Sequence, residues 1–153
     1  KRKNFKMRYS KHIIPVVLTF IVIGILVVAG SANAFNIDIQ PDGKSTAGEK
    51  INFHVTLEDV GEIDNIKVSV DSLVCNFDQE GNVVGVCNGI ELKKLAENTN
   101  DFGYGVSKDF KYKVTVDRGA LSPGDYTLEF EAETDQGTAS ETADLTIKSK
   151  GKK

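Results

Sequence analysis

The sequence contains no tryptophan, one methionine, three prolines, two histidines and two cysteines in 153 residues. Loops without tryptophan are poor platforms for stacking sugar rings. Two cysteines and a single histidine beyond residue 12, His54, are too few ligands for a structural zinc site. No G-x-S-x-G, H-E-x-x-H or glycine-rich phosphate loop occurs, so the usual frameworks for acyl transfer, zinc hydrolysis and nucleotide binding are missing. Asn-x-Ser/Thr is absent too, and N-glycosylation is not implied.

Charge is missing in two places. No acidic residue precedes Asp38, while Lys1, Arg2, Lys3, Lys6, Arg8 and Lys11 are basic. No charged residue at all occurs from 13 to 30, IIPVVLTFIVIGILVVAG. Eighteen helical residues cover about 27 Å, close to a hydrocarbon core of roughly 30 Å. Under the positive-inside rule the basic flank stays in the cytoplasm. Ala32-Asn33-Ala34 then fits the small-residue pattern of a signal cleavage site, with Phe35 as the first mature residue. A cleaved signal peptide is the expectation and a retained anchor the alternative. Either makes residues 1–34 a membrane-directed segment and puts the rest outside the cytoplasm, secreted or anchored in the envelope.

Residues 35–147 hold 22 acidic and nine basic side chains, and a basic tail, 148–153, follows. An acidic body lacks the positive footprint of a nucleic-acid partner. It suits solubility, cations or basic partners.

Beyond residue 36 the apolar period is two. Ile51-Phe53-Val55-Leu57, Ile66-Val68-Val70, Phe110-Tyr112-Val114-Val116, Tyr126-Leu128-Phe130-Ala132 and Ala143-Leu145-Ile147 each alternate with polar residues. Such runs predict half-buried antiparallel strands, and the intervening PDGKSTAGE, DVGEID, DQEGN, LSPGD and DQG supply turns. Residues 37–40, 73–77 and 83–87 are shorter candidates. The expected fold is all-β, an antiparallel sandwich of about seven to eight strands preceded by one hydrophobic helix. The stretch 91–105, ELKKLAENTNDFGYG, departs from the pattern: Leu92 and Leu95 suggest a short helical turn, then a loop between the sheets. Phe102 and Tyr104 in that loop are the candidate contact residues, because the other aromatics occupy core positions.

LSPGDYTLEFEA (121–132), with DFKYKVTVD before it and ETADLTI after it, resembles the closing strands of bacterial and archaeal immunoglobulin-like surface domains. STAGEKINFHVTLEDVG (45–61) resembles their opening strands. The resemblance implies an immunoglobulin-like sandwich over 35–147, with Tyr126 able to bond backbone just upstream as in a tyrosine corner. The buried tryptophan and inter-sheet cysteine pair of antibody domains are not matched.

Cys75 and Cys87 flank CNFDQEGNVVGVC, and a turn centred near Gly81 sets them opposite one another. In an exported chain such a pair is expected to form a disulfide. A thiol nucleophile with His54 as base is the weaker reading. Glu129, Glu131, Glu133 and Asp135 alternate with inward residues and form a solvated face. They lack the spacing of a calcium loop and the burial that paired glycosidase carboxylates need. The functional expectation is a non-catalytic extracytoplasmic module, structural, adhesive or protein-binding, without cofactor. Its partners would be the membrane, through the N-terminal segment, and a protein or envelope polymer. The alternative is a carbohydrate- or calcium-binding accessory domain.

Overall fold

The computed structural model describes residues 35–42, 50–101, 103 and 105–148. The predicted hydrophobic helix, the cleavage residues Ala32 and Ala34, and the tail beyond Lys148 lie outside the described residues. So do Phe102 and Tyr104.

Among the described residues nine strands follow in order: β1 (Asn36–Pro41), β2 (Lys50–Val60), β3 (Ile63–Val70), β4 (Leu73–Phe77), β5 (Val83–Val84), β6 (Ile90–Asp101), β7 (Val106–Asp117), β8 (Gly124–Thr134) and β9 (Gly137–Ile147). They form two sheets, one ordered β1-β2-β7-β6 and the other β5-β4-β3-β8-β9, with every pairing antiparallel. Alternation directs one face of each sheet inward. Phe53, Val55, Leu57, Phe110, Tyr112 and Val114 come from the first sheet, and Ile66, Val68, Phe77, Leu128 and Phe130 from the second, into one apolar cluster. The result is an all-β, sandwich-like arrangement. It satisfies the demand of each sheet for a cover on its apolar side.

One local irregularity keeps the core continuous. Leu57 and Val60 are both fully buried, although three residues apart they would face opposite sides of a regular strand. A bulge between Leu57 and Val60 resolves this, with Asp59 at φ 58°. Its amide is held by the Asp109 carboxylate at 3.1 Å. Bulges of this kind re-aim side chains near a strand end.

Two expectations from the sequence are corrected. Residues 91–101 belong to β6 and form no helical turn. Lys-Leu-Ala-Glu favours helix locally, but β7 is twelve residues long, and the ladder from Ile90↔Val116 to Asp101↔Val106 pairs backbone that would otherwise stand open. Leu92 and Leu95 therefore do not share a face: Leu92 is buried, while Leu95 occupies a bulge and is 47% exposed. The strand candidate 83–87 is cut to Val83–Val84, because Gly85 turns at φ 89°. The remaining runs are strands as read. Tyr126 Oη donates to the Ser122 carbonyl at 2.9 Å, the upstream backbone bond looked for at that residue.

Candidate interaction edge

The β4–β5 hairpin and the strap that follows it form the most distinctive surface. Asp78 closes the turn. Its carboxylate accepts from the amides of Glu80 and Asn82 at 3.0 and 2.8 Å and from Asn82 Nδ2 at 2.9 Å. The Asn82 side chain, then these amides, hold the Asp78 carboxyl below its ordinary pKa. Backbone bonds Asp78–Asn82 and Gly81–Asp78 complete the turn.

The hairpin is anchored at several points to the elements around it. Tyr112, fully buried on β7, donates its hydroxyl to the Gln79 carbonyl at 2.7 Å. The Gln79 side-chain oxygen accepts from the Ile63 amide at 3.3 Å. Glu80 pairs with Lys94 at 2.7 Å, and the Lys94 ammonium lies 5.4 Å from the centre of the Phe110 ring. Lys94 also pairs with Glu97, whose carboxyl is held low by Lys108 first and Lys94 second. At Gly81, φ is 87°, and a Cβ there would stand 2.9 Å from the Leu92 carbonyl oxygen.

That glycine gives a clean prediction. Gly81→Ala combines a left-handed backbone with a clash against main chain, costing roughly 1–3 kcal/mol. Gly85→Ala has the same backbone sign, φ 89°, but nothing within 4 Å of the new methyl. Its cost is about 1 kcal/mol, from conformation alone. Thermal unfolding of the two variants should rank Gly81→Ala clearly lower; equal melting temperatures would show that the hairpin does not press on β6.

Cys75 and Cys87 are joined, with Cα atoms 5.0 Å apart. The expected geometry needs correction. Register pairs Phe77 with Val83 and Asn76 with Val84, which centres the turn on residue 80. Gly85, not Cys87, therefore falls opposite Cys75. The bridge reaches past the short ladder and pins the strap 85–89, which leads into β6 of the other sheet. Both thiols are consumed, so a nucleophile paired with His54 has no sulfur to use. His54 is exposed on the four-stranded sheet, in register with Lys113 and, beyond it, Lys93.

What this framework presents is apolar. Val74, Val83, Val84 and Val86 are 50%, 50%, 54% and 84% exposed, four of the six large apolar side chains so exposed among the described residues. Sequence reading passed over them, although a signal was present. From Gly81 to Ile90 no residue is charged, in a chain that is 27% charged.

The other predicted positions are placed plainly. Phe35 is in the apolar cluster, 6% exposed. Glu129, Glu131 and Glu133 point outward from β8, and Glu131 pairs with Lys67 at 2.7 Å. That hydrogen bond, with the Glu131 charge, raises the Lys67 pKa. Among the described residues no three His, Cys, Asp or Glu side chains are grouped to hold a metal ion, and no helix is long and apolar enough to cross a membrane. No protein-family model matches the chain, and no curated protein matches it significantly.

Proposed function

We propose that this domain is a non-catalytic, immunoglobulin-like module of the cell envelope, delivered or tethered by residues 13–30, with an adhesive, structural or protein-binding role. The observation that carries the reading is the rigidly mounted valine edge. Exposed valines gathered at one sheet edge, Val83 and Val84 on its two faces and Val86 just beyond, in an uncharged run of an otherwise charged chain, suit a contact site. A strip held by a disulfide, a buried tyrosine and a closed Asx turn loses little freedom on binding, which favours affinity. Two antiparallel sheets and the Tyr126–Ser122 bond support the immunoglobulin-like assignment. The disulfide supports an oxidising compartment outside the cytoplasm. The groups with displaced pKa values, Asp78, Glu97, Asp109, Lys67, Lys94 and Tyr112, are each engaged in holding strands or turns together, which supports a role without catalysis.

The test is fractionation of native cells expressing either the natural chain or Val84→Lys/Val86→Lys, with intact mass measured before and after reduction. The natural chain is expected in the envelope or exterior fraction and gains about 2 Da on reduction, the two hydrogens of one opened bridge. The variant is expected to be equally oxidised and, where mass shows that residues 13–30 have been removed, several-fold less retained. A natural chain found in the cytosol with free thiols would overturn the reading.

A further inference from the structure

We infer that the β5 edge pairs with the same edge of a second copy, antiparallel about a two-fold axis, joining two five-stranded sheets into one. The inference rests on the valine edge being a contact site and names what occupies it.

Four edges close the two sheets: β1 and β6 in one, β5 and β9 in the other. An unprotected edge is a template for another strand, and proteins blunt such edges with charge, proline or bulges. Three of the four carry these devices. β1 has Asp38 and Pro41; β6 has Lys93, Lys94, Glu97 and the bulge at Leu95; β9 has Glu141 and Asp144. The β5 edge has no charge, proline or bulge; shortness is its one protection, since β5 is Val83–Val84 and Gly85 turns at φ 89°, within the uncharged run 81–90. Its β-branched residues suit an extended partner. The backbone needs little ordering, because the turn and the Cys75–Cys87 bridge already fix both ends of the segment.

Charge selects the occupant. A basic partner is drawn to the Glu129–Glu133 face and the other acidic surfaces. The uncharged strip is where two strongly acidic bodies meet without bringing like charges into contact. It asks for an uncharged, apolar segment, and the segment with that chemistry is the strip itself, paired through Val83–Val84. A two-fold axis sets Val83, Val84 and Val86 of one copy against those of the other, an isologous contact that closes at two copies. Five residues make a small interface, below the roughly 1,200 Å² of stable complexes. Dissociation is therefore expected at about 0.1–1 mM.

Hydrogen exchange read by mass spectrometry on the full chain tests this, because it reports on residues 82–87 whatever residues 13–30 do. Between about 10 µM and 1 mM protein, exchange in peptides spanning 82–87 is expected to slow about two- to fourfold, the drop in free chain for dissociation at about 0.1–1 mM. Val84→Lys/Val86→Lys should melt within a few degrees of the natural chain, as surface substitutions do, and lose the concentration dependence. Exchange that ignores concentration in the natural chain overturns self-pairing, and so does protection that survives in the lysine variant. If exchange ignores concentration while the variant is still shed from the envelope, self-pairing fails and the edge remains a contact for a different partner. If retention of the chain lacking residues 13–30 is also unchanged, the valine edge is no contact at all.

Discussion

Replacing Cys75 and Cys87 together with alanine should lower the melting temperature by about 12–18 °C. The bridge spans a separation of 12 residues. Closing a loop of that size removes freedom from the unfolded chain worth about 3 kcal/mol. For a domain of this length each kcal/mol shifts melting by about 4–6 °C. Alanine is the right replacement because Cys75 is buried among apolar residues, where a serine hydroxyl would want a partner. The loss should not be spread evenly. Only Asn76↔Val84 and Phe77↔Val83 hold β5 to its sheet, so without the bridge the strap 85–89 is tethered chiefly by the start of β6. Amide exchange should accelerate most in residues 83–89 and least in β2 and β7. A melting change under about 3 °C would mean that the strap is held by packing rather than by the bridge. Treating the natural chain with reductant should reproduce the same pattern.

Why that segment escaped sequence reading, while the sheets did not, has a physical basis. In β2, β3, β7, β8 and β9 one face is buried and the other wet, so burial writes itself into the chain as a period of two. Phe110, Tyr112, Val114 and Val116 are legible because each has the same inward task. β6 is an edge strand whose outer half, from Lys93 to Asp101, contains no fully buried residue. Selection for burial is weak there, helix-favouring residues are tolerated, and pairing with β7 decides the outcome. The turn centre was off by one because Asp78, rather than Gly81, organises the turn, and a one-residue shift moves the partner of Cys75 to Gly85. The valine edge was hidden for the opposite reason. Apolar residues in a strand are normally assigned inward, and only the absence of charge over 81–90 distinguishes this run. Its exposure depends on which strands lie beside it, which is a property of the topology rather than of the segment.

Tyr112 joins the core to that edge, and its substitutions should separate the two contributions. Its ring lies in the apolar cluster, 6.1 Å from Phe110 and 6.3 Å from Phe130 between centroids, while its hydroxyl holds the Gln79 carbonyl. Tyr112→Ala removes a fully buried aromatic and should cost about 3–5 kcal/mol, placing the domain near the limit of folding. Tyr112→Phe keeps the ring and removes one hydrogen bond, costing about 1 kcal/mol. The alkaline limb supplies a second signature. Burial, followed by the charges of Glu80, Glu97 and Asp78, raises the Tyr112 pKa well above its ordinary value near 10. A raised folded-state pKa means that the native chain keeps a proton the unfolded chain gives up. That contribution is complete below about pH 10 and is lost as pH rises toward the folded value. The natural chain should therefore lose stability above about pH 10, and Tyr112→Phe should lose less over the same interval. Identical alkaline limbs would show that the phenol is solvated and the Gln79 bond weak. If the bond is as described, Tyr112→Phe should also speed exchange across residues 78–84 while sparing β2, because the hydroxyl fixes the hairpin on a core that the ring still fills.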